Sequence, residues 1–185
     1  MSQITIINTA LSKLGANTIT SLNDGSIESQ QVNLVWDNVR KSLLRLHPWN
    51  FAIKTAILPR LSQHDHPLYT YAFLLPADCI RVLRIEGNPI YKLEGRSIYT
   101  DVPVITLRYV FDNIDTASWD EAFADVLAER IAYELAYTFT KSNSYREALF
   151  ATFSQKFQAA KFIDSTEDTA DSFGQEPSTF LSARY

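Results

Sequence analysis

The stretch Val39-Arg40-Lys41-Ser42-Leu43-Leu44-Arg45-Leu46-His47-Pro48-Trp49-Asn50-Phe51-Ala52 decides how this chain is read. Its first half continues an apolar seam through Val32, Val35 or Trp36, Val39, Leu43 and Leu46, the spacing of one helix face. Pro48 ends that helix, because the residue before a proline is pushed out of the helical region and the ring cannot continue the hydrogen-bond ladder. Trp49 and Phe51 then stand where helix hands over to strand, which predicts two large buried rings at the turn. Pro48, Trp49 and Phe51 are expected to form a structural corner.

Upstream, Ile4, Ile7, Leu11 and Leu14 follow helical spacing, and Gly15 sits where a helix C-terminus favours positive φ. Asn23-Asp24-Gly25-Ser26 reads as the turn between two helices. Downstream, the period shortens through Phe51-Ala52-Ile53, Tyr69–Leu75, Ile80–Ile85 and Ile105–Val110, with turns at Asn88-Pro89 and Gly95-Arg96. Helical period returns with Ala124, Leu127, Ile131, Leu135 and Phe139, behind an expected capping box of Ser118 and Glu121. A second box, Ser144 and Glu147, is expected to open a last helix carrying Leu149, Phe150, Phe153, Phe157 and Ala160, packed antiparallel on the one before.

These readings predict an α+β fold, mainly α: a bundle of three to four helices with a small antiparallel β insertion and an extended C-terminal tail. The expected divisions are residues 1–48 (N-terminal helices), 49–117 (β-rich insertion), 118–164 (C-terminal helices) and 165–185 (a flexible tail that orders on assembly). The tail carries four acidic residues and one base, and so three of the chain's four net negative charges. It also carries spaced apolar anchors, Phe173, Phe180, Leu181 and Tyr185, which a purely solubilising tail does not need.

The 185 residues suit one domain with an appendage, and 46% apolar with 21% charged residues excludes a disordered or collagen-like chain. Seventeen basic against 21 acidic residues argue against a protein whose main task is gripping nucleic acid, since that affinity comes from many Lys and Arg neutralising phosphates. The one cysteine, Cys79, has no partner for an internal bridge and is expected in a core. The first residues lack the basic start and apolar run of a signal peptide, and no apolar run approaches membrane-spanning length, so synthesis in the cytoplasm and no membrane are expected.

Five glycines, at 15, 25, 87, 95 and 174, allow neither a dinucleotide fingerprint nor a Walker loop. His64-Asp65-His66 before Pro67 reads as an exposed loop, and no metal or other cofactor is expected. Asp120, Glu121, Asp125 and Glu129 form an acidic stripe rather than the opposed carboxylates of a glycoside hydrolase. Glu121, Asp125 and Glu129 are the candidate face for a neighbouring subunit. Arg81, Arg84, Arg96 and Arg108, with Lys54, Arg60 and Lys92, give seven bases against five acids from His47 to Val110. If several share a sheet face, they can meet DNA or an acidic partner.

Leu11-Ser12-Lys13-Leu14-Gly15, Ile19-Thr20-Ser21-Leu22-Asn23-Asp24, the Val39–Ala52 passage and Tyr71-Ala72-Phe73-Leu74-Leu75-Pro76-Ala77-Asp78-Cys79-Ile80-Arg81-Val82-Leu83 resemble phage head-to-tail adaptor proteins of the tail tubular protein A type, in element order over residues 1 to about 164. The resemblance implies a structural virion protein and not an enzyme: a ring, commonly of twelve copies, at the head-tail junction between the portal protein and the tail nozzle, with DNA passing through without specific binding. It implies further that the C-terminal segment can order on the portal, with Phe173, Phe180, Leu181, Arg184 and Tyr185 as the binding residues here. Extended at ~3.3 Å per residue, the tail reaches roughly 70 Å. Ring subunits meet through two different faces that must be complementary. The alternatives are a virion-associated peptidoglycan hydrolase, resting on the carboxylates, and a DNA-binding module, resting on the strand arginines.

Overall fold

The computed structural model describes residues 1–167, so the expectations for Phe173, Phe180, Leu181, Arg184 and Tyr185 lie outside the described residues. Helix α1 (Gln3–Lys13) is capped by Ser2, whose Oγ accepts from Thr5 N at 3.2 Å. It closes with Ala16 N on Leu11 O and Gly15 N on Ser12 O, the paired bonds that a left-handed residue permits, and Gly15 has φ +65°. Helix α2 (Ile27–Leu46) ends at His47, which is extended (φ −138°), as Pro48 dictates.

Asp24 and Ser26 organise the entry to α2. Ser26 Oγ accepts from Ser29 N at 3.1 Å and donates to Asp24 Oδ1 at 2.6 Å. This bond, with that from Ser26 N, lowers the Asp24 carboxyl to about 2 from its ordinary 3.8. A carboxyl depressed in the folded state supports folding above the ordinary value, and that support is lost as pH falls through about 2. A carboxyl NMR titration is expected to place the Asp24 midpoint near 2, and Ser26→Ala is expected to return it toward 3.8.

The β region departs from the expected small insertion. Strands β1 (Ile53–Ile57), β2 (Tyr71–Leu74), β3 (Cys79–Ile85), β4 (Tyr91–Glu94), β5 (Ser97–Thr100) and β6 (Thr106–Phe111) form two antiparallel three-stranded sheets, ordered β1-β6-β3 and β2-β5-β4. The described structure is 49% helix and 19% strand, an α+β fold, and a helix bundle bearing a minor insertion does not describe it. The physical reason is a second core. Leu58, Phe73, Leu75, Cys79, Ile85, Ile98, Ile105, Leu107 and Tyr109 form a buried cluster drawn from both sheets, so the β region holds itself together between two layers.

Period two in β6 decides which layer each side chain joins. Leu107 and Tyr109 enter the cluster between the sheets, while Val110 joins the helical core and Ile80 and Leu83 of β3 pack against that core. The β4–β5 hairpin, Glu94 opposite Ser97, turns through Gly95 and Arg96. Its strands were not read from the sequence, because β4 is exposed along its whole length and shows no buried face. Phe51 and Ala52, expected in a strand, lie in a 3-10 turn (Asn50–Ala52).

Helices α3 (Glu121–Thr140) and α4 (Asn143–Glu167) complete the described chain. They run antiparallel: Tyr133 meets Arg146 and Phe150, while Glu129 meets Lys156. Neither expected capping box forms. Ser118 is occupied in a 3-10 turn, donating to Asp115 O and accepting from Asn113 Nδ2, so Asp120 caps α3 instead, with bonds from Ala122 N and Phe123 N. At α4, Ser142 Oγ accepts from Tyr145 N at 3.2 Å. Residues 165–167, assigned to the tail by their composition, continue α4. Among the described residues no helix is long and apolar enough to cross a membrane.

Candidate functional site

Three features of the structure bear on function: a joint, an apolar tip and an arginine-lined groove. The joint is the corner that follows α2. Trp49 is 1% exposed, and its Nε1 donates to Leu43 O at 3.2 Å, satisfying a carbonyl near the helix end. Its ring meets Phe123 edge-on at 5.1 Å and lies 6.2 Å from Phe51, which itself meets Phe123 at 4.9 Å. Pro48 stands between the helix end and this aromatic cluster, so the three corner residues are brought to one place.

Asp164, near the end of α4, ties the corner from the other side. Its carboxylate bonds His47 Nε2 at 2.9 Å and accepts from Asn50 N at 3.0 Å, and its carbonyl accepts from Asn50 Nδ2 at 2.7 Å. Sequence reading missed Asp164, which lies 114 residues from Asn50 and shows no motif. Buried Arg40 braces the same region, donating to Asp112 Oδ1, to Asn113 O at 3.1 Å and to Asp37 Oδ1 at 3.2 Å. The handover from helix to sheet is therefore over-determined by polar bonds around an aromatic core.

The acidic stripe does not survive as one surface. Glu129 is buried at 2% exposure, and its Oε1 accepts from Lys13 Nζ at 2.8 Å and Lys156 Nζ at 2.7 Å. Asp125 bonds the same Lys156 at 2.7 Å, Asp120 caps α3, and Glu121 is exposed. The stripe was read along one helix, whereas α1 and α4 bring lysines onto it and consume its charge inside the subunit. Within the subunit Glu129 is buried and paired, Asp120 caps a helix, and Asp125 is paired yet stays partly exposed.

The apolar tip lies at the far end of the β region. Register puts Ile53 and Arg81 beside Val110 at the helical end, and Ile57 beside Thr106 at the other. The loops leaving that far end are stitched together: Leu58 N bonds Ile105 O at 3.1 Å, Thr100 Oγ1 donates to Ile90 O at 2.8 Å, and Thr70 donates twice to Asp101 Oδ1. On this frame Ile57, Leu68, Ile90, Val102 and Val104 are between 38% and 84% exposed. Exposed apolar side chains on neighbouring loops make this end of the β region a candidate surface for a partner to cover.

The groove lies between the end of α2, strand β3 and the β4–β5 turn, with a volume of about 340 Å³, and Arg45, Arg81 and Arg96 line it. Arg45 donates to Ile80 O at 2.5 Å, Arg81 to Arg45 O at 3.2 Å, and Arg96 to Pro76 O. A register irregularity between Cys79 and Arg81 leaves Ile80 out of the β3–β6 pairing, so Arg45 takes up its carbonyl. Burial pushes the Cys79 thiol at the groove wall upward, against the pull of Arg96, which keeps the sulfur protonated.

The remaining sequence candidates separate. Arg60 bridges to β2 and lies over the Tyr71 ring at 5.1 Å, and Lys54 pairs with Asp78 at 2.9 Å. His66 packs on Tyr99 at 4.4 Å, while His64 Nε2 bonds Thr70 O at 3.0 Å. Among the described residues no group of three or more His, Cys, Asp or Glu converges as metal ligands. No family model matches the chain, and no curated protein matches it.

Proposed function

We propose that this protein is a structural adaptor of a virus particle, a ring subunit that joins a portal to a tail nozzle and surrounds the passing DNA. The observation that carries the reading is the apolar tip, held on a self-cored β unit and braced to the helices through the Trp49 joint. A protein that transmits position between neighbours needs a stiff body with sticky ends, and this body has a large aromatic clamp where its two parts meet. The resemblance of the Val39–Ala52 passage to head-to-tail adaptors points the same way. The tip is the nozzle-facing part, and the helical unit with the C-terminal segment faces the portal.

Replacing Ile57, Ile90 and Val104 together by serine is expected to leave the circular dichroism spectrum and melting temperature nearly unchanged, because all three are exposed. The same variant is expected to lose at least about tenfold in affinity for the nozzle ring, the equivalent of about 1.4 kcal/mol, measured by cosedimentation with purified tail components. Unchanged attachment removes the tip from the reading. Absence of the wild-type protein from purified virions, measured by mass spectrometry, overturns the reading as a whole.

A further inference from the structure

Arg45, Arg81 and Arg96 come from the last turn of α2, from β3 and from the β4–β5 turn, so three separate elements deliver guanidinium groups to one groove. All three are exposed, and each uses an N–H on a backbone carbonyl, which leaves charge and most of its five donors uncommitted. Among the described residues, no carboxylate pairs with any of them. The acid nearest Arg81 in sequence, Asp78, is occupied by Lys54 at 2.9 Å and by the Tyr109 hydroxyl at 3.2 Å. Glu94, one residue before the hairpin turn, is occupied by Lys92 at 2.7 Å.

We infer that this groove binds a phosphate group. One guanidinium satisfies the two coplanar oxygens of a carboxylate, whereas three guanidiniums from different directions suit the tetrahedral oxygens of a phosphate. The backbone bonds that the arginines already make hold the side chains in place, so little rotamer freedom remains to be lost on binding. Leu75, Val82 and Leu93 also line the groove, beside the three arginines. The phosphate comes from a nucleic-acid backbone passing over the groove or from a free phosphate or phosphate ester.

The test uses the full chain, isotopically labelled, titrated separately with inorganic phosphate, with a short DNA duplex and with a poly-glutamate peptide. Saturable shifts of the Ile80, Gly95 and Arg96 amides are expected with phosphate. Arg96→Gln is expected to weaken binding about tenfold or more, and Arg96→Lys less. Arg81→Gln repeats the test from the sheet side, and thermal melting of each variant separates loss of binding from loss of fold. Tighter binding of the duplex, falling steeply with salt, assigns the phosphate to nucleic acid, and a duplex no tighter than phosphate assigns it to a free ester. The inference is overturned by groove amides that do not move, by folded Arg96→Gln and Arg81→Gln variants that bind as the wild type does, or by poly-glutamate binding more tightly than phosphate.

Discussion

Trp49→Ala is expected to destabilise the protein by about 3–5 kcal/mol, the cost of removing a fully enclosed indole whose surroundings cannot collapse. The ring sits among His47, Phe51, Phe123 and Phe157 at centroid distances of 4.8 to 6.2 Å, contributed by the corner itself, α3 and α4. Losing it opens a hole where these elements meet and frees the Leu43 carbonyl that Nε1 satisfies. Trp49→Phe keeps most of the volume and loses the bond, so a smaller loss of about 1–2 kcal/mol is expected. Urea unfolding followed by circular dichroism reads both. A loss below about 1 kcal/mol for Trp49→Ala means that the joint does not carry the fold.

Breaking the Glu129 centre is the other large effect. A buried carboxylate takes both Lys13 and Lys156 on Oε1, while its Oε2 has no hydrogen-bond partner. Glu129→Gln leaves the shape intact but places two ammonium groups beside a neutral amide, which in a fully buried setting costs about 3–5 kcal/mol. Lys13 and Lys156 are 25% and 35% exposed, so water moderates the loss to about 2–3 kcal/mol. Replacing all three at once, Lys13→Met with Glu129→Leu and Lys156→Met, leaves only the partly exposed Asp125 without its lysine and is expected to be within about 1 kcal/mol of the wild type. A single Glu129→Gln variant as stable as the wild type sinks the argument.

The same centre has a signature in alkali. Burial lowers the Lys156 ammonium, but bonds to Asp125 and Glu129 outweigh it and raise the group above its ordinary 10.5. A base raised by folding supports the folded state fully below that value and loses its effect as pH climbs through the raised one. The wild type is therefore expected to weaken above pH 10.5 more steeply than Glu129→Gln does.

Helices were legible because their signals are local. The Val32, Trp36, Val39 and Leu43 seam is buried as its spacing requires, and Pro48 stops α2 after His47 for a reason contained in two residues. Serine caps were not legible: Ser2 and Ser26 cap α1 and α2 without having been read as caps, and neither expected capping box forms. Ser118 was already engaged by Asn113 and Asp115, which no four-residue window reveals. Strands β2, β3 and β6 were legible as strands, β1 only at Ile53 and the β4–β5 pair not at all, and the division into two sheets was not legible. β6 lies between β1 and β3, and β5 between β2 and β4, pairings that join residues as far apart as Ile53 and Val110.

By itself, then, the amino-acid order determined where α1 and α2 begin and end, which face of each turns inward, and that a proline-tryptophan corner separates helix from strand, because each depends on neighbours within a few positions. Tertiary structure alone decided that an apparent acidic stripe is an internal charge centre, that Asp164 closes the corner, and that three arginines from α2, β3 and the hairpin turn share one groove. Those outcomes depend on which distant surfaces meet, and burial of apolar area, which brings surfaces together, carries no information about sequence distance.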